Sequence, residues 1–199
     1  MDTSRETGRP ICVFQSRISN AGLVQFQNFK SVVQVTTRLG PALVLTLSDT
    51  AAAGGREDLS GPEASRILTE AGFEVRAVEI LPDDRPAIEA RLRAACDEKI
   101  PLVVTTGGTG LSPRDVTPEA TLAVIDKPVP GIAELMRVEG FKSTPRAALS
   151  RAVAGVRQST LIINLPGSVK GVRECLSAVR PVLAHAIETL KQSSLGCGE

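Results

Sequence analysis

The stretch that decides the fold is Leu102–Pro118, LVVTTGGTGLSPRDVTP. It opens with an apolar run, Leu102–Thr105, whose length and branched side chains predict a buried strand. A loop rich in glycine and threonine follows directly at Thr106–Gly110, and Arg114 and Asp115 come soon after it. Glycines let a backbone approach a ligand closely and point several N–H groups in one direction. We therefore predict a strand followed by an oxyanion or phosphate cradle. No Gly-Lys-Ser/Thr follows, so this loop is not a P-loop.

Three further apolar runs surround this stretch, and helical patterns separate them. The predicted strands are Ala42–Leu47, Phe73–Ile80, Leu102–Thr105 and Leu161–Leu165. The predicted helices cover residues 60–71, Pro86–Lys99 and Val169–Lys191, the last with a kink or break at Pro181. A further helix starts at Pro118, and two more lie near Pro130–Val138 and Pro145–Ala154. We expect Ser60 and Glu63 to form a capping box, and Thr117 to cap the helix that Pro118 begins. Strands that alternate with helices imply an α/β fold with a mostly parallel sheet covered on both faces.

Composition narrows the class of protein. The chain has 199 residues, a length typical of one domain, and a net charge of +1. Neither nucleic acid nor a membrane is expected as a partner, because there is no basic patch and no apolar run of membrane-spanning length. The four cysteines fit no zinc spacing and the N-terminus shows no signal-peptide pattern. We therefore expect reduced thiols and a cytoplasmic protein.

Residues 1–40 differ from the rest of the chain. They are rich in Ser, Thr, Gln and Asn, and the regular pattern begins only at Pro41. We expect an N-terminal extension over residues 1–40, flexible in character, and a folded domain over residues 41–199. Alternatively, the β-prone stretch Ser31–Thr37 pairs with an edge of the sheet.

Polar residues gather where the predicted strands end. In parallel α/β sheets, ligands bind beyond the carboxyl ends of the strands. Here those ends carry Ser48-Asp49, Leu81–Asp83, Thr106–Asp115 and Asn164–Gly167. Each aspartate alone is explained as a turn or capping residue, whereas three of them beside a phosphate cradle indicate a magnesium site or a substrate-positioning group.

The single histidine limits the chemistry. His185 lies far along the last predicted helix, where a structural or exposed role is expected. Ser–His and Cys–His nucleophile pairs are therefore excluded, which argues against acyl hydrolysis. Phosphoryl-type transfer passes this test, because an attacking phosphate is already an anion and catalysis is mostly positioning and charge neutralisation.

A series of motifs resembles the molybdenum-cofactor biosynthesis family of MogA, MoaB and the gephyrin G domain. The motifs are Val103–Gly110 followed by Asp115–Thr121, Leu45–Asp49 with Asp58, Ser60 and Gly61, Pro82-Asp83, Pro130-Gly131, Thr144-Pro145 with Leu149–Arg151, and Asn164–Gly167. They occur in the family's order and span about residues 41–192. Residues 1–40 have no counterpart, and the short C-terminal part is more like the MoaB branch.

The resemblance implies a three-layer αβα sandwich, a homotrimer, and transfer of AMP from Mg-ATP to the terminal phosphate of molybdopterin with release of pyrophosphate. It implies catalytic roles for Asp83 and Asp115, which are also the candidate Mg²⁺ ligands. The implied substrate-binding residues are Ser48, Asp49, Thr106, Gly107, Gly108, Thr109, Gly110, Ser150, Asn164, Pro166 and Gly167. Two alternatives stay open: a non-catalytic molybdopterin-binding or scaffold protein of the same fold, and a nucleotide-processing enzyme like the N-terminal part of CinA-type proteins.

Overall fold

The computed structural model describes residues 38–195, so the expectations for the N-terminal extension and for Ser31–Thr37 lie outside the described residues. The strands are β1 (Gly40–Leu47), β2 (Phe73–Leu81), β3 (Leu102–Thr106), β4 (Lys127–Pro128), β5 (Ala154–Arg157) and β6 (Thr160–Leu165). The α-helices are α1 (Asp49–Ala52), α2 (Ser60–Glu70), α3 (Arg85–Asp97), α4 (Thr117–Leu122), α5 (Pro130–Ser143) and α6 (Val169–Leu195), with a 3₁₀ helix at Pro145–Leu149.

The six strands form one sheet in the order β2-β1-β3-β6-β5-β4. β2, β1, β3 and β6 run parallel to one another, and β5 and β4 continue the sheet in antiparallel pairing. The prediction of a mostly parallel α/β sheet is confirmed. The order reverses between β1 and β3, since β1 has β2 on one side and β3 on the other. Such a switch point leaves a crevice at the carboxyl ends of the strands.

Helices cover both faces of the sheet and give it two hydrophobic cores. Successive side chains of a strand point to opposite faces, and in β1 Val44 faces α2, α5 and α6 whereas Leu43 and Leu45 face α3 and α4. β6 repeats the pattern, with Ile163 on the first face and Ile162 on the second. The three-layer αβα sandwich is confirmed, and its core is aliphatic, as the composition predicts.

Part of the predicted secondary structure is wrong in the region between α5 and β6. The helix expected over Pro145–Ala154 is only a 3₁₀ helix ending at Leu149, because Ala154 already pairs with Ile163 at the start of the antiparallel strand β5. The two short antiparallel strands, β4 and β5, were not predicted. Pairing with a neighbouring strand overrides local helical preference here.

The capping box predicted at Ser60 is also wrong. Ser60 is the first residue of α2, and its N–H and that of Gly61 donate to the Asp58 carboxylate at 2.9 and 3.0 Å. Glu63 does not reach back; it pairs with Arg66 and with Arg173 of α6. Two arginines hold the pKa of the Glu63 carboxyl down at about 2, so this carboxylate joins α2 to α6 instead of capping a helix.

The longest helix, α6, continues without a break past Pro181. Pro181 is exposed, so the carbonyl group that loses its helical hydrogen bond lies where water can replace it. Within residues 38–195, no helix is both long and apolar enough to cross a membrane.

Candidate active site at the glycine loop

The glycine loop, residues 107–116, leaves β3 at the switch point of the sheet and lies close to the end of β1. Gly107 has a φ of +101° and Gly108 a φ of +61°, a backbone region that favours glycine. A Cβ atom on Gly107 would lie closer than 3.0 Å to the carbonyl oxygen of Leu47. Glycine is therefore required at position 107, both for its conformation and for the close approach of the two strand ends.

Thr117 holds the first half of the glycine loop. Its buried hydroxyl donates to the carbonyl of Gly107 at 2.9 Å, and its N–H donates to the carbonyl of Gly108 at 3.2 Å. The predicted capping role of Thr117 is wrong, since α4 begins at Thr117 itself with no side-chain cap. The threonine fixes the loop instead.

Arg151 holds the second half of the loop. Its main-chain N–H donates to the carbonyl of Thr109 at 3.0 Å, and its side-chain Nε donates to the carbonyl of Gly110 at 2.6 Å. Its Nη2 donates to the carbonyl of Asp115 at 2.5 Å, and its Nη1 to the carboxylate of Glu119 on α4. Four consecutive carbonyl groups, from Gly107 to Gly110, are thus all turned towards protein donors.

The loop's amide groups are left free by this arrangement. The N–H of Gly107 donates to the carbonyl of Leu165, whereas those of Gly108, Thr109 and Gly110 have no partner among the described residues. Gly107 and Gly108 have positive φ angles, and unpaired amide groups that follow such a turn can form an anion-binding concavity. The structure therefore has the donors that the sequence predicted for a phosphate cradle.

Two aspartates are joined beside the loop by a reciprocal pair of hydrogen bonds. The N–H of Asp49 donates to Oδ2 of Asp83 at 3.1 Å, and the N–H of Asp83 donates to Oδ1 of Asp49 at 3.0 Å. This pair connects the ends of β1 and β2. Both aspartates therefore lie at the carboxyl edge of the sheet, as the sequence predicts.

Asp83 carries an oxygen with no partner. Its Oδ1 is buried, receives no hydrogen bond from the described part of the chain, and lies 3.0 Å from the position that a Cβ on Gly108 would take. Burial, together with the nearby charges of Asp49 and Asp115, raises the pKa of the Asp83 carboxyl above its ordinary value. An orphaned, partly desolvated carboxylate oxygen at the glycine loop is suited to a cation or a hydrogen-bond donor on a ligand.

Asp115 closes the loop at its other end. Its Oδ2 accepts from the N–H of Ser112 at 2.7 Å, and a Cβ on Gly110 would lie 2.9 Å from that oxygen. Asp83 and Asp115 therefore contact the glycine loop at two places, one beside Gly108 and the other beside Gly110. This is the arrangement expected if both carboxylates act on a group that the loop holds.

Arg114 brings a positive charge to the same edge. Its guanidinium forms a two-pronged contact with Asp49, at 2.9 Å from Nε and 2.8 Å from Nη2. The hydrogen bond from Arg114 lowers the pKa of the Asp49 carboxyl. Arg114 is 64% exposed, so the cation is free to leave Asp49 for an anionic ligand.

Two cavities flank the glycine loop, and the predicted substrate residues divide between them. The larger cavity has a volume of about 470 Å³, and the predicted residues that line it are Thr109, Gly110, Ser150 and Pro166. The smaller has a volume of about 170 Å³, and its predicted residues are Ser48, Thr106, Gly107 and Gly167. The loop passes from one cavity to the other, whereas the three aspartates line neither.

Asn164 occupies a different position from the other predicted substrate residues. It is fully buried, and its Nδ2 donates to the hydroxyls of Thr105 at 3.0 Å and Thr121 at 2.8 Å. Its Oδ1 accepts from the N–H of Val153 at 3.3 Å. The amide thus joins β3, α4 and β6 beneath the loop and does not line either cavity.

Sequence reasoning gave no site role to Asp58, which lines the smaller cavity. Besides its contacts at the start of α2, Asp58 accepts from the hydroxyl of Thr46 at 2.6 Å and that of Ser60 at 3.0 Å. Ser60 in turn accepts from Thr106 at 2.8 Å. Burial raises the pKa of the Asp58 carboxyl, but these hydrogen bonds outweigh it and hold the pKa below the ordinary value. The available signals were its position just before a helix start and its place in the first motif of the resemblance.

The residues present fit a magnesium ion. Carboxylate oxygens are suitable ligands for Mg²⁺, which is typically held by one or two carboxylates together with substrate phosphates. Asp83 has an unpartnered oxygen, and Asp115 has one oxygen not used by Ser112. Among residues 38–195 there is no group of three or more acidic, histidine or cysteine side chains arranged for a metal. A magnesium ion here therefore needs substrate oxygens to complete its coordination.

Comparison with known proteins decides the family. The family described as a probable molybdopterin binding domain matches residues 43–185. The chain belongs to this family. The molybdopterin adenylyltransferase of Helicobacter pylori is 47% identical over 150 residues, which cover 74% of this chain and 85% of the relative. The enzyme of the same name from Escherichia coli is 41% identical over 160 residues, covering 76% and 80%.

A solved member of the molybdopterin binding domain family has the same fold. The molybdopterin biosynthesis enzyme MoaB from Thermus thermophilus is 51% identical to this chain and superposes with a TM-score of 0.73. The match covers 76% of this chain and 96% of the MoaB chain. The glycine loop, the cavities and the aspartates described above all lie within the residues that the family matches.

Proposed function

We propose that this chain is a molybdopterin adenylyltransferase, which transfers AMP from Mg-ATP to the terminal phosphate of molybdopterin and releases pyrophosphate. Relatives 47% and 41% identical over most of their length bear that name. We assign the activity to residues 41–199.

The observation that carries this proposal is the free amide run of Gly108, Thr109 and Gly110. The carbonyls of Gly107, Gly108 and Thr109, which share peptide units with these three N–H groups, are tied to Thr117 or Arg151. Because the C=O and N–H of a trans peptide unit point in opposite directions, the N–H groups point away from those partners. Preorganised N–H donors stabilise charge that develops on phosphate oxygens without reorganising during the reaction. A loop that merely turned the chain would not need every carbonyl held in this way.

The chemistry requires little acid–base help. A terminal phosphate oxygen of molybdopterin attacks the α-phosphorus of ATP, a new P–O bond forms, and the bond to the pyrophosphate oxygen breaks. The nucleophile is already an anion, and the leaving group departs as pyrophosphate, so no general base is required. The glycine loop orients the phosphates, and orientation alone supplies about 7 kcal/mol of barrier reduction in favourable cases.

We place the two substrates in the two cavities, one on each side of the loop. Thr109 and Gly110 face the larger cavity and Gly107 faces the smaller, so the reacting phosphates meet on the loop between them. Asp83 and Asp115 would hold Mg²⁺ there, and the ion, when bound, neutralises part of the phosphate charge. Arg114 orients Asp49 and is placed to exchange that carboxylate for a phosphate oxygen.

A pyrophosphate-release assay with Mg-ATP, with and without molybdopterin, tests the proposal. Release should depend on molybdopterin and should disappear in Asp115→Asn. The matched control is Asp126→Asn, because Asp126 lies beyond the other end of α4, where it contacts Arg157 and the N–H of Gln158. If the wild-type protein binds molybdopterin but releases no pyrophosphate, the proposal fails and the chain is instead a pterin-binding or scaffold protein.

We further propose a homotrimer that works in the cytoplasm. β2 is one of the two edge strands of the described sheet and exposes Val78 by 37% and Ile80 by 42%, which suits burial against a second copy. The buried thiols of Cys96 and Cys175 are free, in keeping with a reducing compartment. Light scattering after size exclusion gives the assembly directly, and a monomeric mass at working concentration would refute the trimer.

A further inference from the structure

Arg151 contacts the glycine loop in its middle and near its C-terminal end. Its main chain and its Nε bind the carbonyls of Thr109 and Gly110, and its Nη2 binds the carbonyl of Asp115. Its Nη1 binds Glu119, so one side chain joins the loop to α4. Among the described residues no other side chain donates to two carbonyl groups of the loop.

Only an arginine can satisfy these acceptors together. The guanidinium is planar and carries five N–H donors in fixed directions, whereas a lysine ammonium presents three donors from a single atom. Here Nε, Nη1 and Nη2 each serve a different acceptor: the Gly110 carbonyl, the Glu119 carboxylate and the Asp115 carbonyl. Each guanidinium nitrogen is thus already engaged with the protein.

The segment that carries Arg151 is itself anchored. Nη1 of Arg137, on α5, donates to the carbonyl of Ala152 at 3.0 Å and to that of Ser150 at 3.4 Å. Ser150 lines the larger cavity, so the anchored segment connects that cavity to the loop. The backbone on either side of Arg151 is therefore also held by α5, independently of the loop.

We infer that Arg151 is a positioning residue: its main chain fixes the Thr109 carbonyl and, with it, the Gly110 amide of the same peptide unit, and its side chain turns the Gly110 carbonyl away from the substrates and places the Asp115 backbone. This inference rests on the proposed adenylyltransferase function. Arg151 acts through the loop and does not touch the reacting atoms, so its loss should lower kcat more than it raises KM. A misplacement of about 1 Å is enough to lower the rate about 10²-fold.

The test compares Arg151→Lys and Arg151→Ala with the control Arg157→Lys. Arg157 is a fair match because it also binds a main-chain carbonyl, that of Val124 at 3.1 Å, and a carboxylate, that of Asp126 at 3.4 Å. Those contacts lie at the far end of α4. Steady-state AMP transfer gives kcat and KM, thermal unfolding reports the fold, and calorimetry with inorganic pyrophosphate reports the cradle.

We expect both Arg151 variants to lose about 10²-fold in kcat with KM changed by less than about threefold, and Arg157→Lys to match the wild type. Added guanidinium chloride should restore part of the activity of Arg151→Ala, whereas sodium chloride of equal ionic strength should not. A purely structural role would not produce that rescue. If Arg151→Ala fails to fold, Arg151→Lys carries the test.

Several outcomes overturn the inference. Wild-type kcat in folded Arg151→Lys and Arg151→Ala would refute it, and so would a loss confined to KM, which indicates direct contact with a substrate. If the wild type transfers no AMP, the proposed function fails by itself, and pyrophosphate binding then decides: weaker binding by Arg151→Lys supports positioning, and equal binding refutes it. A wild type that neither transfers AMP nor binds pyrophosphate refutes both.

Discussion

Replacing Gly107 with alanine should destabilise the domain far more than the same change at Gly54. Both glycines have positive φ angles, +101° and +73°. A Cβ on Gly54 meets nothing within 4 Å, whereas a Cβ on Gly107 falls inside 3.0 Å of the Leu47 carbonyl oxygen, and ordinary contact begins near 3.4 Å. Gly54→Ala therefore isolates the conformational cost, and Gly107→Ala adds a collision with the backbone of β1.

The magnitudes separate the two variants. Conformational strain costs about 1–2 kcal/mol for Gly54→Ala. For Gly107→Ala, strain of about 1–3 kcal/mol adds to about 1–3 kcal/mol for forcing the ends of β1 and β3 apart, roughly 2–6 kcal/mol together. At 2–4 °C per kcal/mol for a domain of this size, Tm should fall by roughly 5–20 °C.

Urea unfolding followed by far-UV circular dichroism measures the free energy of unfolding of each variant. The dependence of that free energy on urea concentration shows whether the unfolding transition itself has changed. Gly131→Ala is a second control, since nothing lies within 4 Å of its Cβ position in the first turn of α5. That variant should be neutral or more stable, because alanine favours a helix. An unfolding free energy of Gly107→Ala within error of Gly54→Ala would refute the close approach of the two strand ends.

Three further predictions concern the loop and the aspartates. Thr117→Val keeps the shape but leaves the Gly107 carbonyl without its hydroxyl donor, so the free energy of unfolding should fall by about 1–3 kcal/mol in urea titrations; an unchanged value would contradict the contact. The raised pKa of Asp83 means that the folded protein binds its proton more tightly than the unfolded chain, so ionised Asp83 costs stability above the ordinary aspartate pKa of about 3.9. Asp83→Asn should therefore unfold at an equal or higher Tm than the wild type at pH 7, with the advantage vanishing below about pH 4; a gap that widens on acidification would reverse the assigned sign. Arg114→Gln should raise the pKa of Asp49 towards its ordinary value in a carboxyl-carbon NMR titration, and no change would show that the ion pair is absent in solution.

The parallel sheet and its glycine loop are predictable because they are written in local patterns. Val103 and Val104 belong to a fully buried run, and Gly107–Gly108 marks the one place where β3 must turn sharply. The short antiparallel strands β4 and β5 are not predictable in this way. Lys127–Pro128 is too short and too polar to show a pattern, and it is a strand only because β5 lies beside it.

The partners of individual side chains are the part that the sequence leaves open. Thr117 and Ser60 both stand at helix starts, and a hydroxyl there predicts a cap. In the fold, the Thr117 hydroxyl instead reaches Gly107, ten residues back in the chain, and Asp58 takes over the capping of α2. A helix cap can be predicted from the residues at the start of that helix alone. The contacts of Thr117 and Asp58 depend on which loops the sheet brings together.

Arg151 shows the same limit over a longer distance. It belongs to a motif in the resemblance, yet nothing near it in the sequence indicates that its guanidinium binds Gly110, 41 residues earlier. Asn164 likewise reads as a polar strand end but proves to be a buried link between Thr105 and Thr121. Sequence motifs named the candidate residues, and the fold shows which of them line a cavity and which are buried links beneath the loop.

The pairing of β6 with β3 also determines when the protein acquires a binding site during synthesis. β1, β2 and β3 emerge first, but the Gly107 amide has no acceptor until Leu165 of β6 is made, and Gly110 has no brace until Arg151 is made. Long-range parallel pairing forms slowly. A nascent chain that has reached only α5 therefore carries the whole glycine loop without its contacts to Leu165 and Arg151. Ligands that bind the loop can stabilise the completed fold by mass action. They cannot assist the earlier folding of β1, β2 and β3, because the supported loop does not yet exist.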